Sequence, residues 1–248
     1  MVNQGLFPGA GTLINVVAIV LATLIGLLVG KKFSIQLRDL ITQSLGLIVL
    51  IAAADALSNF WNQDFQSSFN QGIPILIILF SLVLGAVIGY ALNLEKALER
   101  FGESLKERFS RGENPRFVEG FITASVLFLV GPMAILGGIS DGMGEGIELL
   151  LLKSVLDFFM AIAFTASFGW GVGLSALPVG VYQFGWTGIG AALGAVLNQN
   201  QITSITVTGG LLLVGIALSS LGVKRMAIGN LLPAIFIAPI LTTLLASS

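Results

Sequence analysis

Lys153 and Asp157 stand four residues apart inside an otherwise apolar run that includes Leu149–Leu152 and Phe158–Phe159. At that spacing the two side chains share one face of a helix and can pair. A lone charge at the centre of a bilayer costs about 2.5–3.5 kcal/mol on insertion scales, so pairing lowers the penalty of both. Asp55 lies in a second apolar stretch and has no cation nearby in sequence. Asp141 and Glu145 sit among Gly142, Gly144 and Gly146, downstream of Pro132 and the Gly137-Gly138 pair. Proline removes a helix donor and glycine weakens the next turn, so this segment reads either as a broken helix lining a cavity or as an acidic external turn. Asn15, Thr165 and Tyr182-Gln183 add neutral hydrogen-bonding groups. Asp55, Asp141 and Glu145 favour a cationic substrate or coupling ion, whereas Lys153 could equally meet a carboxylate.

The surroundings of these residues decide their setting. The 248-residue chain is 55% hydrophobic and 10% charged, against about 25% charged for a soluble domain. Its mean hydropathy is +0.96. There is no cysteine and no histidine. Thiolate nucleophiles, disulfides, imidazole bases and Cys/His metal sites are thereby excluded. No Walker loop is present, and the Gly-x-Gly-Asp signature of intramembrane aspartyl proteases is missing around Asp55 and Asp157. The expectation is a non-enzymatic membrane protein without cofactor or metal. A net charge of −1 gives no case for nucleic acid.

Spans of about 20 apolar residues fit near 10–30, 38–58, 73–93, 117–137, 149–169, 173–197, 203–222 and 226–246. The fold class expected is an all-α integral membrane protein of about eight transmembrane helices. With eight spans, Lys31, Lys32 and Arg38, the six cations from Lys96 to Arg116, and Lys224 with Arg225 all fall on one side. That side is cytoplasmic by the positive-inside rule, and both termini are then outside. Residues 94–112 repeat Leu94, Leu98, Phe101, Leu105 and Phe109 at helical spacing, as in a cytoplasmic amphipathic helix at the membrane surface or on a neighbouring subunit.

An offset of 164 residues aligns 24–57 with 188–221 without a gap, and nine of the 34 positions are identical, among them Gly26/Gly190, Gly46/Gly210 and Leu57/Leu221. The offset maps the first span on the sixth and the second on the seventh, so the copies are inverted. The chain is accordingly divided into a first repeat (1–93), the cytoplasmic segment (94–116), a central helix pair (117–172) and a second repeat (173–248). Gly26-x-x-x-Gly30, Gly85-x-x-x-Gly89 and Gly190-x-x-x-Gly194 allow close helix approach, within the bundle or in a homo-oligomer.

The runs Gly11-Thr12-Leu13-Ile14-Asn15, Gly131 to Gly142 (GPMAILGGISDG), Lys153-Ser154-Val155-Leu156-Asp157 and Gly229-Asn230-Leu231-Leu232-Pro233-Ala234 resemble the YqgA/YdfK-type family of bacterial multi-pass inner-membrane proteins. The resemblance implies a cytoplasmic-membrane location and adds no substrate, cofactor or site list. Together these features point to a secondary transporter or permease for a small solute, with Asp55, Asp141, Glu145, Lys153, Asp157 and Asn15 as candidate substrate- or ion-binding residues. Alternatives are a passive channel or a non-transporting membrane protein.

Overall fold

A computed structural model describes residues 7–30, 34–98, 100, 104, 116–129, 132–144, 146–193 and 197–246. The described chain is helical throughout: α1 (Ala10–Gly30), α2 (Ile35–Ser58), α3 (Gln63–Ser67), α4 (Ile73–Ala91), α5 (Phe117–Leu129), α6 (Pro132–Met143), α7 (Glu148–Phe168), α8 (Ala176–Leu193), α9 (Gln199–Ser220) and α10 (Pro233–Leu245). Six helical segments are long and apolar enough to cross a membrane, and α5 with α6, bent by 60°, would make a seventh. The all-α membrane class holds, and the difference from eight has local causes. The expected fourth span is broken between Leu129 and Met133, beside Pro132, which cannot continue the helix ladder. The expected sixth span is α8, 18 residues diluted by Pro178, Tyr182, Gln183 and Trp186. Of the amphipathic stretch 94–116, residues 94–98, 100 and 104 are helical and most of the remainder lies outside the described residues.

The helices are amphipathic in the sense opposite to that of a soluble protein. α1 buries Gly11, Thr12, Asn15, Thr23, Gly26 and Gly30 and exposes Leu13, Val17, Val20, Leu21, Leu24 and Leu28. α4 buries Ser81, Gly85 and Gly89 and exposes Leu79, Val83 and Val87. Lipid solvates the apolar face, so small and polar residues are what the helices turn toward one another.

Two compact units divide the chain. The first holds residues 1–42, 101–129 and 133–196. In it α1 runs parallel to α7. A Cβ on Gly26 would stand 2.7 Å from the Ile162 carbonyl, and one on Gly30 2.8 Å from that of Ala166. α6 and α8 also meet through glycines, with Gly142 against the Thr187 carbonyl and Gly190 against that of Ile139. Between α7 and α8 the chain reverses at Gly169, whose φ of 84° suits a residue without Cβ. A short 3₁₀ segment, Trp170–Ser175, follows, and its Trp170 packs edge-on to Phe117 at 4.9 Å.

The second unit holds 43–100, 130–132 and 197–248. Its central helix is α9, buried along most of its length from Ile202 to Ser220. α4 and α10 lie antiparallel, Gly85 on Ala234 and Gly89 on Asn230. Phe65, Phe69, Ile77, Ile78 and Val207 form its apolar core. The glycine faces of Gly26, Gly30, Gly85, Gly89 and Gly190 are thus occupied by helices of the same chain.

Candidate functional site

The first unit encloses a chain of polar side chains drawn from three helices. Lys153 and Asp157, both 6% exposed on α7, form the expected ion pair through Lys153 Nζ and Asp157 Oδ2. The same oxygen accepts from Asn15 Nδ2 of α1 at 3.0 Å. The other proton of that amide goes to Gln183 Oε1 of α8 at 3.3 Å. The Lys153 ammonium also stands 5.8 Å from the centroid of the Phe128 ring on α5, within the range of a cation–π contact. Beside them, the Thr12 and Thr187 hydroxyls meet at 3.5 Å, and Thr187 Oγ1 donates to the Gln183 carbonyl at 3.0 Å. A carboxylate accepts only, so the Asn15 NH₂ must face Asp157 and the Gln183 oxygen must face that NH₂. The orientation of both amides follows from the charge pair.

This arrangement leaves two polar atoms unused. Among the described residues Asn15 Oδ1 and Gln183 Nε2 are buried without a hydrogen-bond partner, and Thr165 Oγ1, also on α7, is a third. A buried unsatisfied group costs about 1–3 kcal/mol, and native structures keep few of them.

Asp141 has a different employment. Its Oδ1 and Oδ2 accept from the backbone N–H groups of Gly9 and Gly11, each at 3.1 Å. These are donors at the start of α1 that the helix itself cannot satisfy, and a carboxylate there also meets the positive end of the helix dipole. A Cβ on Gly11 would come within 3.2 Å of Asp141 Oδ2, so glycine permits the approach. Asp141 therefore ties α6 to the start of α1, with both oxygens engaged. Asp55 belongs to the second unit and is exposed, close to the end of α2, where Ser58 and Asn59 cap its carbonyl. Glu145 lies outside the described residues. Among the described residues no three His, Cys, Asp or Glu side chains are placed to hold a metal ion.

The structure thus gathers Asn15, Lys153 and Asp157 in one network, with Asp141 engaged at the head of α1. Gln183, Thr12, Thr187 and Phe128 join them. Helical spacing carried part of that signal: Thr12, Asn15, Ile19 and Thr23 recur every three or four residues along α1, and Gln183 and Thr187 are one turn apart.

A family model described as "Protein of unknown function (DUF554)" matches residues 10–243. The chain belongs to the DUF554 family. It is similar to the "Uncharacterized membrane protein YdfK" of Bacillus subtilis (strain 168), 30% identical over 234 residues that cover 93% of this chain and 94% of that one. It is also similar to the "Uncharacterized protein YqgA" of Escherichia coli (strain K12), 25% identical over 237 residues, covering 92% and 94%. The resemblance read from the glycine-rich central run and its companions is borne out. No solved structure matches. DUF554 membership agrees with the membrane setting of the helices, and the chemistry is argued from this chain's own residues.

Proposed function

We propose that this chain is a secondary transporter for a small solute in the bacterial cytoplasmic membrane, built as an inverted repeat. The observation that carries the proposal is a pair of matched contacts in the second unit. A Cβ on Gly46 of α2 would lie 3.1 Å from Ser220 Cβ at the end of α9 and 3.1 Å from Cγ of Leu221, the residue that follows it. A Cβ on Gly210 of α9 would lie 3.0 Å from Ala56 Cβ and 3.2 Å from Leu57 Cγ of α2. Gly46, Ala56 and Leu57 are the residues that the 164-residue offset aligns with Gly210, Ser220 and Leu221. Contacts that exchange under a shift of repeat are isologous, the mark of a two-fold axis. For antiparallel helices that cross a bilayer, such an axis lies in the membrane plane, as in inverted-repeat transporters.

Further details support the same reading. Ser34 Oγ accepts from Leu37 N at 3.2 Å and Asn198 Oδ1 from Gln201 N at 2.9 Å, so α2 and α9 begin with the same cap at aligned positions. In the first unit, Gly180 of α8 faces Val16 of α1, and these two residues are themselves aligned. The cation-rich segments also associate. Asp39 pairs with Arg116 in the first unit. In the second, Glu95 accepts from Gly229 N and its own N–H donates to Asn230 Oδ1 at 2.9 Å. Each pairing joins two segments that the positive-inside rule assigns to the cytoplasm, with the termini outside. The buried Lys153–Asp157–Asn15–Gln183 chain supplies ionisable groups facing protein, the usual position of a transport site. Among the described residues no nucleophile–base pair is placed beside them, and we assign no enzymatic step.

Counterflow in proteoliposomes tests the proposal. Saturable uptake of labelled solute, accelerated by the same solute preloaded inside, is the expected result. Linear flux without acceleration would replace the transporter by a channel.

A further inference from the structure

We infer that the Lys153–Asp157 pair is a closed zwitterion site: a small amino acid enters between the two charges, its carboxylate meeting Lys153 and Gln183 and its ammonium meeting Asp157 and Asn15. The identity of the site as a binding site stands on geometry; only turnover at it rests on the transporter reading.

The free donors and acceptors define the ligand. Asn15 Oδ1 is an unused acceptor and Gln183 Nε2 an unused donor, on side chains that already touch and are 0% exposed. Asn15 is bonded to Asp157, so the unused acceptor stands beside the anion. Lys153 carries three N–H donors, and one is placed on Asp157. Opening the pair therefore presents two acceptors, Asp157 and Asn15 Oδ1, and two donors, Lys153 and Gln183 Nε2. An ammonium only donates and a carboxylate only accepts, so an amino acid satisfies both sets at once.

Charge balance selects the same class. Lys153 and Asp157 are neutral as a pair, and both are 6% exposed. A zwitterion turns one ion pair into two and adds no net charge to a buried place. A simple cation would leave Lys153 facing it and Gln183 Nε2 unused. A simple anion would face Asp157 and leave Asn15 Oδ1 unused. A primary ammonium, that of Lys153 itself, already stands there against a carboxylate and the Phe128 ring. In the closed state the lysine takes the place of the solute's ammonium. The cost of the two unsatisfied amide atoms is relieved when the solute enters, which favours opening in its presence.

The test is ligand-dependent thermal unfolding of the purified full-length chain in detergent. The probes are the proteinogenic amino acids and β-alanine, with ethylamine and acetate as single-charge compounds. At least one amino acid is expected to raise the unfolding temperature saturably, by mass action on the folded state. Ethylamine and acetate, alone or together, are expected to give no such shift. Gln183→Leu should weaken amino-acid binding by about tenfold or more, the loss of one hydrogen bond to a charged group. The charge-free double variant Lys153→Met/Asp157→Asn leaves neither ion stranded and should fold without responding to amino acids. The inference is overturned if no amino acid stabilises the protein, if ethylamine or acetate alone stabilises it as well as an amino acid does, or if the double variant retains binding. Amino-acid binding without flux in proteoliposomes would end the transporter reading and leave this site standing. Flux confined to solutes of a single charge would do the reverse.

Discussion

Replacing Lys153 by Met keeps the length and apolar stem of the side chain and removes the ammonium. Asp157, 6% exposed, is then a buried carboxylate that keeps the Asn15 amide at 3.0 Å and has lost its countercharge. Breaking a buried pair from one side costs about 3–5 kcal/mol, because the other charge stays behind. Asp157→Asn strands the ammonium instead, but the Phe128 face at 5.8 Å remains. A desolvated cation–π contact is worth about 2 kcal/mol, so this loss should be smaller, about 2–4 kcal/mol. The double variant has no buried charge and should lie within about 1 kcal/mol of the parent, or above it. The cycle therefore has a coupling energy of several kcal/mol with the sign of a compensated pair. Titration with SDS in mixed micelles, followed by tryptophan fluorescence, measures all four proteins. If the double variant loses the sum of the two single losses, the charges act independently and the reasoning fails.

Three further outcomes are expected in the same assay. Asp141→Ala removes two charge-assisted bonds to the start of α1 and should cost about 3–6 kcal/mol at roughly 1.5–3 each, while Asp141→Asn, which keeps one acceptor, should cost about half as much. Asp55→Asn, at an exposed position, should change stability by no more than about 0.5 kcal/mol. Gly46→Leu and Gly210→Leu place side chains against aligned surfaces and should destabilise by similar amounts, each about 1–3 kcal/mol or more; a large inequality between them would contradict the local two-fold.

The membrane setting was legible because lipid imposes a length and an apolar content on each span, and α1, α4 and α9 meet both. Lys153 and Asp157 were legible because a four-residue spacing is a local geometric fact. Their partners were not. Whether Asn15 meets Asp157 or another group depends on how α1 lies on α7 and α8, contacts 142 and 168 residues distant in sequence. The acidic character of Asp141 invited a cation-binding role, but its two oxygens are engaged by Gly9 and Gly11 N–H groups, which no side-chain pattern displays. The number of spans departs from the expected eight where hydropathy averages over a break, as between α5 and α6, or where polar residues face a neighbouring helix, as Gln183 does in α8. The offset between aligned segments carried more than identity alone. It brought Ser34 and Asn198, two different residue types, onto the same cap.

Those two residues give the most direct test of the inverted repeat on which the transport reading stands. Both are exposed at the head of a helix, Ser34 before α2 and Asn198 before α9, and the chain has no native cysteine to interfere. Single variants Ser34→Cys and Asn198→Cys are labelled in intact cells with a membrane-impermeant maleimide, then again after the membrane is opened. An inverted repeat predicts that Asn198→Cys reacts from outside, whereas Ser34→Cys reacts only once the cytoplasmic face is accessible. Labelling of both positions from the same side would show α2 and α9 entering the membrane in the same direction, and would contradict the account.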